Sequence, residues 1–226
     1  MLANIRKSAL DLTAKIKKQL ILKRLEKRRR NRDIQLSAGE IYAVQAAIKA
    51  PANFLVFGLG YDSELWHQAN PGGRTVFLED DPEWFEKIKK ESPRLEAYLI
   101  KYTTRIDDWR ELLEQPEKLS ISLPPAIAAG CWDLILIDGP AGWQSGQPGR
   151  MQSIYLASRL IKPGGDVFVH DCDREVENRY ADKYLGRQNI IGETTGRALL
   201  RHYRPGQNPT TEIRQRRASP KDENSQ

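Results

Sequence analysis

Two glycines and an acidic residue occur at a spacing typical of a nucleoside-binding site. Gly58 and Gly60 follow the apolar run Asn53–Phe57, and Glu79 ends a second apolar run 19 residues after Gly60. A glycine turn at the end of a buried strand lets the backbone approach a ligand closely, because no Cβ atom intervenes. An acid at the end of the next strand can accept hydrogen bonds from both hydroxyls of a ribose. The spacing therefore predicts a cofactor that contains a nucleoside.

The residues after the second glycine favour S-adenosylmethionine over a dinucleotide. A dinucleotide fingerprint requires a third glycine three positions later, where this chain has Ser63. Asp62 places a carboxylate where a pyrophosphate would approach the helix N-terminus, which is electrostatically unfavourable. S-adenosylmethionine carries an ammonium that Asp62 could bind and a carboxylate that backbone N–H groups could bind. An NAD(P)-dependent oxidoreductase is a distant alternative. The predicted cofactor-binding residues are Gly58, Gly60, Asp62, Glu79 and Asp138.

The surrounding pattern predicts an α/β fold with a doubly wound, mostly parallel, Rossmann-like sheet, because apolar strand-like runs alternate with helical ones. The predicted strands are 53–57, 75–78, 97–102, 132–138, 166–170 and 198–203. The predicted helices are 37–49, 63–68, 82–91, 106–113, 151–160 and 175–184. Ligands of such sheets bind beyond the carboxyl ends of the strands. The glycine turn, Glu79, Asp138, His170 and Asp171 all fall at those ends.

Length and charge divide the 226 residues into three predicted segments: a basic amphipathic arm at 1–36, one domain at 37–204 and a disordered tail at 205–226. Residues 1–33 hold twelve Lys or Arg and three Asp or Glu, so they carry +9, and the remainder carries −3. In the arm, small and apolar residues recur on one helical face. These are Leu2, Ile5, Ala9, Leu12 and Ile16.

The arm has three interpretations: a solvated helical extension that could pack on a partner chain, docking on an anionic membrane surface, or binding nucleic acid. We favour the first and regard nucleic acid as an unlikely partner, because the predicted domain is itself acidic. Cys131 and Cys172 form neither a disulfide framework nor a metal-binding pair. The two cysteines favour a reducing, cytoplasmic setting, and the start of the sequence does not show the pattern of a secretory signal. No apolar run approaches the length of a membrane span, and peripheral membrane contact stays open.

Five sequence blocks resemble the plant glucuronoxylan 4-O-methyltransferases and their relatives in xylan biosynthesis. The blocks are NFLVFGLGYDSELW, GGRTVFLEDD, IDGPAGW, PGRMQSIYLA and DVFVHDCDREVE. The resemblance implies a class I methyltransferase fold, S-adenosylmethionine as donor, and the 4-hydroxyl of glucuronic acid in a polysaccharide as acceptor. Gly58, Gly60, Glu79 and Asp138 lie at matching motif positions. The chain departs at Tyr61, where the plant motif usually has His, and in its basic arm, where the plant enzymes carry a membrane anchor.

Methyl transfer to a hydroxyl requires an oxygen aligned behind the methyl group and a group that takes its proton. Asp138 is the first candidate base, with a turn-capping carboxylate as the alternative. His170 is the second, since histidine titrates near neutral pH; a buried, paired histidine is its alternative. Asp171 could join Asp138 around a divalent cation or pair with Arg174 instead, and the metal is the minor hypothesis.

Two residues are candidates for binding the acceptor. Arg150 could bind a uronate carboxylate with two parallel hydrogen bonds, or pair with a nearby acid of the protein. Trp143 could stack on a sugar ring, or pack the loop that carries it. The leading hypothesis is a sugar O-methyltransferase. The alternatives are a non-catalytic assembly factor for polysaccharide synthesis and a methyltransferase that acts on RNA or a small molecule.

Overall fold

The computed structural model describes residues 2–206, with side chains from residue 12 onward. The helices are α1 (Leu2–Asn31), α2 (Ala38–Ala47), α3 (Ser63–Ala69), α4 (Pro82–Glu91), α5 (Trp109–Leu113), α6 (Pro125–Ala128), α7 (Met151–Leu160) and α8 (Glu175–Ala181). The strands are β1 (Asn53–Phe57), β2 (Arg74–Glu79), β3 (Glu96–Leu99), β4 (Trp132–Ile137), β5 (Ile161–Val169), β6 (Ile190–Thr195) and β7 (Leu199–Tyr203). The predicted disordered tail lies, from residue 207 on, outside the described residues.

The strands form one sheet in the order β3-β2-β1-β4-β5-β7-β6. Strands β1 to β5 are parallel to their neighbours, and β7 is antiparallel to both β5 and β6. The predicted mostly parallel, doubly wound sheet is therefore confirmed. The order and the single reversed strand are those of a class I methyltransferase, as the family resemblance implies. The order reverses between β1 and β4, which is where ligands of open α/β sheets bind.

The two central strands are apolar throughout because helices cover both faces of the sheet. Side chains alternate between the faces along each strand. Leu55 of β1 and Ile135 of β4 belong to one buried cluster, together with Met151 of α7. Phe54 of β1 and Leu136 of β4 belong to the other.

The structure differs from the sequence prediction in three strands. Strand β6 was not predicted, because four of its six residues are glycine or polar and it lies at the sheet edge with none of its residues buried. Strand β5 begins at Ile161 rather than 166, so it includes a Pro-Gly-Gly segment that lies outside the predicted strand. The register shifts between Trp132 and Leu134 where that segment pairs with β4. Strand β3 ends at Leu99 rather than at 102.

Helix α1 extends the predicted amphipathic arm into one continuous 30-residue helix. Leu25 is 6% exposed and packs in the same buried cluster as Ile34 and Leu36, so the C-terminal part of α1 is held against the domain. The predicted boundary at residue 36 stays a prediction. Among residues 2–206, no helix is long and apolar enough to cross a membrane.

The ends of β1 and β4 meet backbone to backbone at two glycines. Gly58 adopts a φ of +119°, a conformation that disfavours any residue with a Cβ atom. The backbone N–H groups of Asp138 and Gly139 both donate to the carbonyl of Phe57, at 2.9 and 2.8 Å. A Cβ atom on Gly139 would lie 3.1 Å from Cα of Gly58. This contact places Asp138 directly beside the glycine turn.

We expect Gly139→Ala to lower the free energy of unfolding by about 1–3 kcal/mol, because the added methyl group meets backbone that cannot move aside. The matched control is Gly192→Ala in β6, where a Cβ atom would lie 3.8 Å from that of His202, an ordinary contact. The control should change stability by about 0.5 kcal/mol or less. Urea denaturation of both variants measures this, and equal losses would contradict the close contact.

Candidate active site

The glycine turn after β1 is closed by side chains of α3. The Oγ atom of Ser63 accepts a hydrogen bond of 2.9 Å from the backbone N–H of Gly60. Ser63 is 1% exposed, so its hydroxyl fills the space that a dinucleotide-binding protein keeps open with glycine. A Cβ atom on Gly60 would lie only 2.9 Å from Oδ1 of Asp62. The turn therefore has a shape that brings the Asp62 carboxylate close to its backbone.

The half-buried carboxylate of Asp62 favours a positively charged ligand. Its Oδ2 atom accepts a hydrogen bond of 2.9 Å from Nε1 of Trp66. Burial, followed by the negative charge of Asp138, raises the pKa of Asp62 to about 6. Two carboxylates that repel one another in this way are stabilised by a cation between them. The ammonium of S-adenosylmethionine has the required charge.

Glu79 is more constrained than the sequence pattern indicated. Its Oε2 atom accepts from the backbone N–H of Leu59 at 3.0 Å. Its Oε1 atom accepts from the N–H groups of Asp80 and Asp81, at 2.8 and 2.9 Å. A carboxylate has about four acceptor positions, so three of them hold the protein's own backbone. Glu79 thus orients the glycine turn and keeps capacity for one further hydrogen bond, fewer than two ribose hydroxyls require.

Asp80, which the sequence reading did not select, is the second acid at this position. It is half-buried at the end of β2. Burial, followed by the charge of Glu79, raises the pKa of Asp80 to about 6. A ribose hydroxyl that donates to Asp80 would relieve this strain between like charges. The acidic pair Glu79 and Asp80 together supplies the acceptors that Glu79 alone lacks.

Five charged side chains from different elements meet beyond the ends of β4 and β5, and we call them the charge cluster. They are Glu40, Asp138, Arg150, His170 and Asp171. Nδ1 of His170 lies 3.0 Å from Oδ1 of Asp138 and 3.5 Å from Oδ1 of Asp171. Its Nε2 atom lies 3.2 Å from Oε1 of Glu40. The predicted catalytic residues Asp138, His170 and Asp171 are therefore brought together.

The surroundings of His170 argue against its predicted role as a base. Burial alone would lower the pKa of its imidazole, but the three facing carboxylates outweigh burial and raise the pKa to about 11. His170 is therefore a cation at neutral pH and has no lone pair with which to accept a proton. The contacts at Nδ1 are not aligned as hydrogen bonds, so the attraction there is that of an ion pair. The buried, paired histidine, which was the alternative, describes the structure.

Arg150 is likewise a structural residue, and the proposed uronate contact is not supported. It is 5% exposed. Its guanidinium donates to the backbone carbonyls of Asp138 and His170 at 2.6 and 2.9 Å, and it pairs with Oδ2 of Asp171 at 2.8 Å. Five donors in a fixed fork suit this convergence of acceptors. The donors that a substrate carboxylate would need are already engaged.

Asp171 is held by positive charge on several sides. It has a φ of +63°, which Asp tolerates better than most residues, and Arg174 contacts its Oδ2 atom at 3.0 Å. Burial would raise the pKa of Asp171, but contact with His170 and the two guanidinium groups lower it to about 2. The predicted pairing with Arg174 is thus present.

The donor atoms of Asp138, His170 and Asp171 lie within 4.8 Å of one another, close enough to surround a metal ion. The chemistry of the set fits a metal poorly, however. The guanidinium groups of Arg150 and Arg174 lie 2.8 and 3.0 Å from Oδ2 of Asp171, so two fixed cations already pair with the carboxylate that a metal ion would need. We therefore derive no step through a metal.

Asp138 is the member of the charge cluster that remains accessible. Its side chain is 27% exposed, whereas His170 and Asp171 are each 9% exposed and Glu40 is fully buried. Its contacts with His170 and Arg150 are both made by Oδ1. The cluster thus holds one carboxylate oxygen of Asp138, and the side chain can still meet a ligand.

Trp143 lies on an ordered loop with its ring directed to solvent. The ring is 64% exposed, so the alternative that it packs the loop is not what the structure shows. Oε1 of Gln147 accepts from the backbone N–H of Trp143 at 2.8 Å, and the carbonyl of Gln147 accepts from Ile106 at 2.7 Å. An exposed indole on a braced loop is suited to stacking on a flat apolar surface such as a sugar ring.

Two buried acids, one in the charge cluster and one beside it, were not predicted as site residues. Glu40 forms a capping box with Ser37 at the start of α2, where its Oε2 atom accepts from the backbone N–H of Ser37 at 2.7 Å. Its other oxygen contacts His170, 130 residues away, and no local pattern predicts that pair. Glu177 is fully buried, and among the described residues its carboxyl oxygens have no hydrogen-bond partner. Burial raises the pKa of Glu177.

We expect His170→Asn to lower the free energy of unfolding at pH 7 by about 3–5 kcal/mol, because three carboxylates lose the buried cation between them. The folded-state pKa lies above the ordinary value of 6.5. The stabilisation from His170 is thus complete below about pH 6.5 and is lost as pH rises toward 11. Chemical denaturation across this range tests it.

The control for that experiment is His67→Asn, on the half-exposed surface of α3. It should change stability by about 0.5 kcal/mol or less. Two results would contradict the charged state of His170. One is a loss of unfolding free energy in His170→Asn that is no larger than the loss in His67→Asn. The other is a loss in His170→Asn that does not shrink at high pH.

Comparison with known proteins connects this geometry to a family. A family model described as IRX15/IRX15L/GXM matches residues 39–121 and 116–203. Glucuronoxylan 4-O-methyltransferase 1 of Arabidopsis thaliana is 40% identical over 176 residues, which cover 69% of this chain and 61% of that protein. Arabinogalactan O-methyltransferase 1 of the same plant is 40% identical over 163 residues, covering 62% of this chain and 56% of that protein.

Among solved structures, the O-methyltransferase TomG from Streptomyces achromogenes in complex with SAM aligns with a TM-score of 0.48 and 17% identity, covering 82% of this chain and 90% of that one. The chain spans about three fifths of the length of the curated relatives it matches. The family model covers most of the described domain, including the glycine turn and the charge cluster. It covers none of α1. The chain belongs to the IRX15/IRX15L/GXM family.

Proposed function

We propose that this protein is an S-adenosylmethionine-dependent O-methyltransferase whose acceptor is a sugar hydroxyl of a polysaccharide, with the 4-hydroxyl of glucuronic acid as the first candidate. The observation that carries the proposal is the position of Asp138. Its accessible carboxylate stands at the end of β4, directly beside the glycine turn of β1. The names of the two Arabidopsis relatives support the acceptor class.

The donor site consists of the glycine turn and the acids around it. Gly58 and Gly60 let the backbone approach the cofactor, and Asp62 binds its ammonium. Glu79 and Asp80 share the ribose hydroxyls. The support for this arrangement is the accumulation of negative charge at Asp62 and Asp80, whose pKa values are both raised to about 6. A cofactor with a cationic head and no phosphate matches that charge.

Bound S-adenosylmethionine would supply a methyl group on a positively charged sulfonium. The acceptor oxygen would take that methyl group as a C–O bond replaces the C–S bond and the sulfur becomes a neutral thioether. The hydroxyl proton passes to the Asp138 carboxylate. His170 and Arg150 hold Oδ1 of Asp138 and so direct its other oxygen. They are positioning residues.

The acceptor side of the site requires an aromatic surface and, for a uronic acid, a cation. Trp143 supplies the aromatic surface. Since Arg150 is buried, we assign the cation to Arg174, whose side chain is 33% exposed at the edge of the charge cluster. Arg174 remains close enough to Asp171 to be held in place, at 3.0 Å.

Asp138→Asn should leave the fold intact and lower kcat for methyl transfer about 100-fold or more, because amide replaces the group that takes the proton. The control is Asp133→Asn at the opposite end of β4, where the carboxylate pairs with Lys162; it should keep full activity. Transfer of labelled methyl from S-adenosylmethionine is measured on glucuronoxylan, arabinogalactan and RNA.

Three results of that assay are informative. Transfer to a glucuronic acid polysaccharide, lost in Asp138→Asn alone, is the expected result. Transfer to RNA alone would overturn the acceptor class. Binding of S-adenosylmethionine with no transfer to any acceptor would favour a non-catalytic assembly factor.

The affinity for S-adenosylmethionine should fall about tenfold between pH 7 and pH 5, because Asp62 must be ionised to bind the ammonium and its pKa is about 6. Calorimetric titration at several pH values measures this. Asp62→Asn should bind weakly at every pH. The same titration of Asp80→Asn separates the contribution of Asp80, the other acid with a raised pKa. If the affinity of wild type is constant between pH 7 and pH 5, the role of Asp62 is contradicted.

A further inference from the structure

The outer face of α1 carries an apolar stripe that nothing in residues 12–206 covers. Leu12, Ile16 and Leu20 follow one another at intervals of four residues, so they lie on one side of the helix. Their side chains are 61%, 49% and 52% exposed. The opposite side of the same helix packs on the domain through Leu22 and Leu25. The amphipathic pattern of the arm is thus present, but over this part of α1 the apolar side faces away from the protein.

The charge around the stripe restricts what could cover it. Between residues 12 and 25 the helix has five basic side chains and no acidic one. The basic residues are Lys15, Lys17, Lys18, Lys23 and Arg24. Lys18 is directed to the ring of Tyr42, 5.2 Å from its centroid, and Arg24 and Lys23 are exposed. The occupant must therefore be both apolar and negatively charged.

Two other occupants fit less well. A second copy of α1 would bring two strongly basic helices side by side, which like-charge repulsion disfavours. A nucleic acid would satisfy the charge but would leave the aliphatic stripe in water, since such binding relies on cations and aromatic stacking. An anionic lipid surface offers phosphates and carboxylates above a hydrocarbon boundary, so it satisfies both requirements.

We propose that the outer face of α1 binds the headgroup region of an anionic lipid bilayer, with the helix lying along the surface. Leu12, Ile16 and Leu20 enter the boundary between headgroups and acyl chains. The lysine side chains extend their ammonium groups to the lipid phosphates while their aliphatic stems cover the stripe. The helix lies on the membrane rather than across it, consistent with its charge.

This docking would also orient the rest of the protein. The C-terminal part of α1 is fixed to the domain through Leu25, and α2 follows after six residues. Glu40 of α2 contacts His170 in the charge cluster at 3.2 Å. A membrane-bound α1 therefore holds the site in a defined direction relative to the surface, whichever acceptor the site takes.

The experiment is co-sedimentation of the full chain with vesicles of phosphatidylcholine, with and without phosphatidylserine. Wild type should bind the vesicles that contain phosphatidylserine, and binding should weaken as salt is added. Replacing all three stripe residues by serine (L12S, I16S, L20S) should reduce the affinity tenfold or more. All three are exposed, and circular dichroism verifies that the helix remains.

The matched control removes two equally exposed aliphatic side chains elsewhere, L99S and I191S, each 49% exposed in the wild type. It should bind as wild type does. Failure of wild type to bind phosphatidylserine vesicles, or an equal loss in control and stripe variant, overturns the proposal. If wild type and the control self-associate without binding vesicles, and only the stripe variant fails to self-associate, the face is assigned to a second copy of the chain. Binding to RNA that replaces vesicle binding assigns it to nucleic acid. Each of these outcomes is independent of methyl transfer.

Discussion

A buried histidine cation between three carboxylates is the interaction on which the architecture of the site depends. His170 contacts Asp138 at the end of β4, Asp171 next to it after β5, and Glu40 at the start of α2. Those acids could not lie this close to one another in the interior without a cation, since each would otherwise be protonated or displaced. The positive charge therefore connects a helix that precedes the sheet with the carboxyl ends of two strands.

The same charge determines how Asp138 can act. Arg150 and His170 hold one of its oxygens, while the side chain stays partly open to solvent. On the other side, the contact between Gly58 and Gly139 sets Asp138 beside the glycine turn. Asp62 feels the charge of Asp138 strongly enough that its pKa rises to about 6. Asp62 is an acid that the charge cluster does not neutralise, and this is why we propose a cationic cofactor beside it.

The strand ends and the glycine turn were predictable from the sequence because they follow from local rules. Apolar runs bounded by glycine and acid define β1 and β2, and the convergence of strand ends follows from a parallel sheet. The choice between a catalytic and a structural role for His170 and Arg150 could not be made from the sequence, because most of their partners lie 12 to 130 residues away. A histidine or arginine at a strand end can have either a catalytic or a structural role. The number of carboxylates and carbonyls around the side chain decides between the two roles. Strand β6 was missed for a different reason: an edge strand with polar residues lacks the apolar run that identifies a buried strand.

The charge of His170 is measured most directly by nitrogen NMR of the three histidine side chains across a pH titration, with the His170 signals assigned by their loss in His170→Asn. We predict that His170 keeps a proton on both ring nitrogens through the neutral range and begins to lose one only in strongly alkaline solution, as its pKa of about 11 requires. A His170 that titrates near its ordinary pKa of 6.5 would contradict the account, because the cluster would then contain a neutral imidazole and the base would have to be reassigned.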